Sequence, residues 1–83
     1  MSFLSIKNLK ISYMQDIRTN KYFLFVYDTL NQLEYQIAHI DDSIWYHVVE
    51  EYHLSLEEIE QMTLFFLKNI ILKNTNNQFI ERT

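Results

Sequence analysis

SLEEIEQMTLFFLKNIILK, residues 55–73, is the stretch whose reading decides the fold. It opens with a helix start. Ser55 followed by Glu58 forms a capping box, in which each side chain satisfies a backbone N–H of the first turn. Leu54 and Ile59 bracket the cap as a hydrophobic staple. Apolar residues then recur at helical spacing, which predicts a helix from Leu56 to about Lys73. On a wheel of ~100° per residue, Leu56, Ile59, Thr63, Phe66, Leu67 and Ile70 share one face. Leu64 and Ile71 flank it on one side and Met62 on the other. Phe65 and Leu72 fall about 150–160° from its centre, among Glu57, Glu58, Gln61, Lys68 and Asn69. The stripe belongs on a sheet. The second oily spot has no use inside one protomer unless the first helix or the C-terminal tail covers it.

Upstream the period changes. Ile44, Val48 and Tyr52 recur four apart, with Trp45 and Val49 beside them and Asp41 or Asp42 available as cap, predicting a helix over roughly 42–53. Before it, the pattern is that of strands. Residues 33–40 alternate, and YFLFVY at 22–27 is apolar at every position, as in a central strand. Residues 3–14 alternate with a change of phase between Ile6 and Leu9, which a bulge near Asn8 explains. The result is an α+β fold: a three-stranded antiparallel meander followed by two helices (β-β-β-α-α), the second long and packed on the sheet. A single domain spans residues 1–83. Residues 78–82 are a candidate edge strand, and 74–83 a candidate flexible tail.

Composition narrows the class of protein. Eighty-three residues bury only about 60–65% of their unfolded surface. Yet 48% of the chain is hydrophobic and 16% aromatic, which excludes disorder and leaves apolar surface to spare. There is no cysteine, hence no disulfide and no thiolate chemistry. No apolar run reaches the ~18–20 residues that span a bilayer, and the first residues lack the apolar core of a secretory signal. The expected location is the cytoplasm. Glycine and proline are absent, while Phe, Tyr, Met, Ile, Asn and Lys supply 37 of 83 residues. That bias fits an AT-rich genome and an accessory protein of a phage or other mobile element. Without glycine, positive φ falls to asparagine, so turns are expected at Asn20, Asn31, Asn74, Asn76 and Asn77.

Charge is sorted along the chain. The net charge is −4, but residues 28–62 hold nine acids and no Lys or Arg. Seven of the acids lie within 41–60: Asp41, Asp42, Glu50, Glu51, Glu57, Glu58 and Glu60. Several serve first helical turns, where the macrodipole favours anions. Together they make a surface suited to a basic protein partner and repellent to nucleic acid. Four basic residues, Lys7, Lys10, Arg18 and Lys21, are too few for a nucleic-acid-binding sheet.

Catalytic signatures are missing. His47 and Glu51 stand at i, i+4 on one helix, but two ligands do not make a metal site. Phosphate loops and nucleophile elbows need glycine. We therefore expect no enzyme, metal or cofactor. The expected function is that of a protein-interaction module, an inhibitor or adaptor that occupies a partner's surface. Phe65 and Leu72 are the candidate anchors, Glu57, Glu58, Gln61 and Lys68 their polar frame, and Trp45 a further, half-exposed candidate. The alternatives are a structural homodimer using the same apolar surface, and an acidic DNA mimic.

Overall fold

A computed structural model describes residues 3–75. Among them are four strands and two helices: β1 (Leu4–Ile6), β2 (Leu9–Gln15), β3 (Tyr22–Asp28), β4 (Leu33–Ile37), α1 (Ser43–Glu51) and α2 (Leu56–Phe66). The strands form one antiparallel sheet in the order β1-β2-β3-β4. The α+β class, the antiparallel meander and the two helices are as expected. The strand count is corrected from three to four.

The correction lies at residues 6–9. Ile6 and Leu9 are cross-strand partners, as are Leu4 and Ile11, so the phase change marks a two-residue hairpin turn rather than a bulge. Lys7, not Asn8, takes the positive φ of 54°. A tertiary contact offsets that backbone cost. The Lys7 Nζ donates to the Tyr52 and His53 carbonyls at 2.8 and 2.9 Å, at the end of α1. There His53 itself has φ 49°, and the His53 and Leu54 N–H groups donate back to Glu50 and Val49. This is a Schellman closure with histidine where glycine is usual, and Lys7 satisfies carbonyls that the helix leaves free.

Two more positive φ values fall at Asn20 and Gln32. Of the expected asparagines among the described residues, only Asn20 adopts one. Asn31 instead donates its side chain to Asp28, and Asn74 lies in a helical turn. Asn76 and Asn77 lie outside the described residues, as does the candidate strand 78–82.

Both helix starts are as read. The Asp42 carboxylate accepts from the Ile44 N–H at 3.0 Å. In the capping box, Ser55 Oγ accepts from the Glu58 N–H at 3.1 Å and Glu58 Oε1 from the Ser55 N–H at 2.8 Å. That backbone donor, with Lys7 nearby, holds the Glu58 carboxyl below its usual range. Ser55→Ala removes one half of the box and is expected to cost about 1 kcal/mol in a urea titration; no loss would mean that the first turn is held by packing alone.

The helix does not stop at Phe66. A π turn follows at Leu67–Ile71, closed by the Leu72 N–H on the Leu67 carbonyl, and residues 72–75 are α-helical again. Asn69 is buried there and donates to the Phe65 carbonyl at 3.0 Å. A row of residues four apart drifts about 40° per step on a regular α-helix. The wider turn offsets that drift, so Met62, Phe66, Ile70 and Asn74 all meet the sheet. Asn74 acts as a surrogate strand. Its side chain accepts from the Tyr22 N–H at 2.7 Å and donates to the Tyr22 carbonyl at 3.3 Å, beyond the point where β4 ends.

The core lies between one sheet face and the helices: Ile6, Leu9, Ile11, Leu24, Val26 and Ile37 from the sheet, against Trp45, Val48, Leu54, Met62, Phe66 and Ile70. Leu24 and Val26 are therefore the inward residues of β3. Phe23, Phe25 and Tyr27 face away from the helices.

Candidate functional site: two uncovered apolar faces

The wheel centred on the apolar residues of 56–72 is rotated in the folded protein. Met62, placed on the flank, is buried, while Leu56, placed at the centre, is 86% exposed. The physical reason is that the sheet covers only a narrow strip. Phe66 meets Trp45 edge-on at 6.1 Å, and this contact sets which strip that is. The opposite side of the helix is left with Leu64 (58% exposed), Leu67 (43%), Ile71 (41%) and Leu72 (56%). Leu64, Leu67 and Ile71 stand at i, i+3 and i+7, the spacing of one continuous helix stripe.

The expected site residues separate accordingly. Leu72 is exposed, as an anchor must be. Phe65 is only half-buried, and its ring lies 6.3 Å from Tyr13. Lys73 covers the same aromatic cluster, with Nζ 5.0 Å from the Tyr13 ring and 5.6 Å from that of Tyr22. Trp45 is corrected: it is 5% exposed and belongs to the core, because its ring turns inward onto Phe66. Glu57, Gln61 and Lys68 are exposed beside the stripe. Glu58 is partly buried and occupied by the helix cap and by Lys7, whose Nζ lies 3.8 Å away. Leu64, Leu67 and Ile71 were not singled out beforehand. Their helical spacing was visible, but it was indistinguishable from that of core residues.

Among the described residues only Lys7–Glu58 and Arg18–Asp16 form ion pairs, so Asp41, Asp42, Glu50, Glu51, Glu57 and Glu60 have no cationic side chain against them.

The second uncovered face is the back of the sheet. Phe23, Phe25 and Tyr27 run along β3, Met14 and Phe3 are exposed beside them, and Lys10 Nζ stands 4.8 Å above the Phe3 ring. A shallow hollow of about 450 Å³ opens here, lined by Phe3, Lys10, Ser12, Met14, Phe25 and Tyr27.

One polar cluster is built around a buried carboxylate, Asp28. The Asp28 carboxylate accepts from Asn8 Nδ2 (2.6 Å), Tyr52 Oη (2.7 Å), Asn31 Nδ2 (2.9 Å) and the N–H groups of Leu30 and Asn31 (2.9 and 3.1 Å). Burial raises its pKa, but these donors outweigh burial and hold it far below the usual carboxylate range. Burial, with Tyr35 and Asp28 alongside, pushes the Tyr52 phenol well above its ordinary value. The Tyr35 and Tyr52 hydroxyls are 3.1 Å apart. With every lone pair directed at structural partners and no exposure at Asp28, the cluster is a clamp joining the β1–β2 turn, the β3–β4 turn and the end of α1.

Among the described residues no group of three or more His, Cys, Asp or Glu side chains is placed to hold a metal ion, and no helix is long and apolar enough to cross a membrane. No family model, curated protein or solved structure matches the chain.

Proposed function

We propose that this protein is a small non-enzymatic interaction module, an inhibitor or adaptor that docks the outward side of its C-terminal helix into a groove on another protein. The observation that carries this reading is the exposed row Leu64, Leu67 and Ile71, with Leu72 beside it, on a helix whose other side is already anchored. Aliphatic side chains at i, i+3 and i+7 are the form in which a helix presents anchors to an apolar groove. The frame is polar: Glu57, Glu60, Gln61 and Lys68. Unpaired acids outnumber the single lysine, so the matching groove is apolar at its floor and basic at its rim. Charge of this kind raises the encounter rate and selects the partner, while the buried aliphatics supply the affinity.

The test is the double variant Leu67→Ser and Ile71→Ser. Both side chains are exposed, so the thermal melt stays close to that of the parent. Capture of a partner from the native host is expected to fall by about tenfold or more, the loss typical of removing central anchors. Retained capture by a folded double variant would dismiss the helix as the docking face.

A further inference from the structure

The back of the sheet suggests a different occupant from the helix. We infer that it binds a second copy of this chain, face to face, about a twofold axis running along β3. The argument is one of register. Lys10 pairs with Tyr27 and Tyr27 with Glu34, so these three side chains form a row across the sheet with a cation at one end and an anion at the other. The next row is Ser12, Phe25, Gln36, and Met14 pairs with Phe23. A twofold axis lying between two such sheets and along β3 exchanges the β2 and β4 sides while keeping each row in place. It therefore sets Lys10 over the partner's Glu34 and Ser12 over the partner's Gln36. Phe23, Phe25 and Tyr27 meet their own counterparts along the axis. The hollow beside β3 receives the partner's Glu34 and Gln36. A twofold axis across the strands instead puts Lys10 over the partner's Met14 and leaves both charges buried against apolar groups, at a large desolvation cost. Aligned sheets packed ~10 Å apart are the common arrangement for two such faces.

An axis along β3 lays β2, β3 and β4 over their counterparts and leaves β1 outside. Three strands ~4.8 Å apart, of seven, seven and five residues, give a flat footprint of roughly 300 Å², before side-chain relief is counted. That lies below the roughly 800 Å² per partner of a stable interface, so the dimer is a weak, transient one expected to dissociate at micromolar dilution. The helix stripe lies on the opposite side of each protomer and stays free. The assembly thus presents two docking helices at once, a bivalent form of the module proposed above.

Sedimentation equilibrium of the full chain tests this inference. The expected result is a monomer–dimer equilibrium in the micromolar range. Lys10→Glu and Glu34→Lys should each weaken it roughly tenfold, because two attractive pairs become repulsive. The swap carrying both substitutions should return to within about threefold of the parent. Inside one protomer the two residues are two strands apart, ~10 Å, where solvent screening leaves little direct coupling. Rescue therefore reports contact between protomers. Both side chains are exposed, so every variant should fold and melt like the parent. A chain that stays monomeric at high micromolar concentration overturns the inference. So does a swap that fails to restore the dimer, or a dimer that survives each charge reversal and is lost instead in the Leu67→Ser, Ile71→Ser variant. Loss of partner capture with the dimer intact leaves the two readings separately judged.

Discussion

Phe66→Ala is expected to lower the stability of the fold by about 3–5 kcal/mol, the range for emptying a buried aromatic site. Phe66 is buried where four parts of the structure meet: the Trp45 ring, Met62 one turn before, Ile70 one turn after, and the central strand. The sheet and α1 are anchored by other contacts and cannot collapse into the space, so the cavity term adds to the lost transfer energy. Natural domains are stable by ~5–15 kcal/mol, and a chain of this size belongs at the lower end. The variant should therefore be largely unfolded at 37 °C. The informative control is the neighbouring residue. Leu67→Ala removes three carbons against the six of the Phe66 ring, and from a side chain that faces solvent, so the expected loss is about 0.5 kcal/mol or less. Urea titrations of the two variants decide the orientation of the helix: equal losses would mean that the strip facing the sheet lies between Phe66 and Leu67.

Tyr52→Phe is expected to cost about 1.5–3 kcal/mol, the price of withdrawing a donor from a charged, buried acceptor. The ring is kept, so packing against Tyr35 is kept, and the loss reports the Tyr52 hydroxyl alone: its 2.7 Å hydrogen bond to Asp28 and its 3.1 Å contact with the Tyr35 hydroxyl. The clamp also shapes the response to pH at both ends. The Asp28 carboxyl is lowered from its ordinary 3.8 by the folded state. On acidification the unfolded chain takes up this proton first, so the stability it contributes is present above about pH 4 and is lost progressively below it. The Tyr52 phenol is raised from its ordinary 10.0. On alkalinisation the unfolded chain releases this proton first, so stability falls as the pH rises past about 10. Tyr52→Phe should lower the plateau and make the alkaline fall shallower. Asp28→Asn should flatten the acid fall. Urea midpoints measured across pH for both variants check the assignment, and an alkaline limb of unchanged slope in Tyr52→Phe would show that the Tyr52 hydroxyl does not drive it.

How much of this was legible beforehand differs from element to element. Local chemistry was readable where a few adjacent residues carry the whole signal. Ser55 with Glu58, and Asp42 before Ile44, specify helix starts through hydrogen bonds spanning two or three residues, and both are present in the folded chain. The alternation at 33–40 and the doubly apolar run at 22–27 identified β4 and β3 because side chains alternate faces along a strand. The hairpin at Lys7 was missed for the opposite reason. The residue that tolerates positive φ there is chosen by a contact 45 residues away, with Tyr52. The Asp28 clamp was equally hidden: its partners Asn8, Asn31 and Tyr52 are ordinary polar residues until three chain segments converge.

The sequence alone determined the class of the fold, a run of antiparallel strands followed by two helices, the caps, the segregation of acid along the chain and the existence of more apolar side chains than one small core can bury. Each of these depends on neighbours along the chain or on composition. Only the tertiary structure decided which apolar side chains are the surplus ones. Periodicity specifies that a helix has an oily side but not which part of a broad one the sheet will cover. The Phe66–Trp45 contact, the π turn at 67–71 and the Asn74 clamp on Tyr22 together rotate the helix. Trp45 and Met62 are thereby enclosed, while Leu64, Leu67 and Ile71 are left facing water.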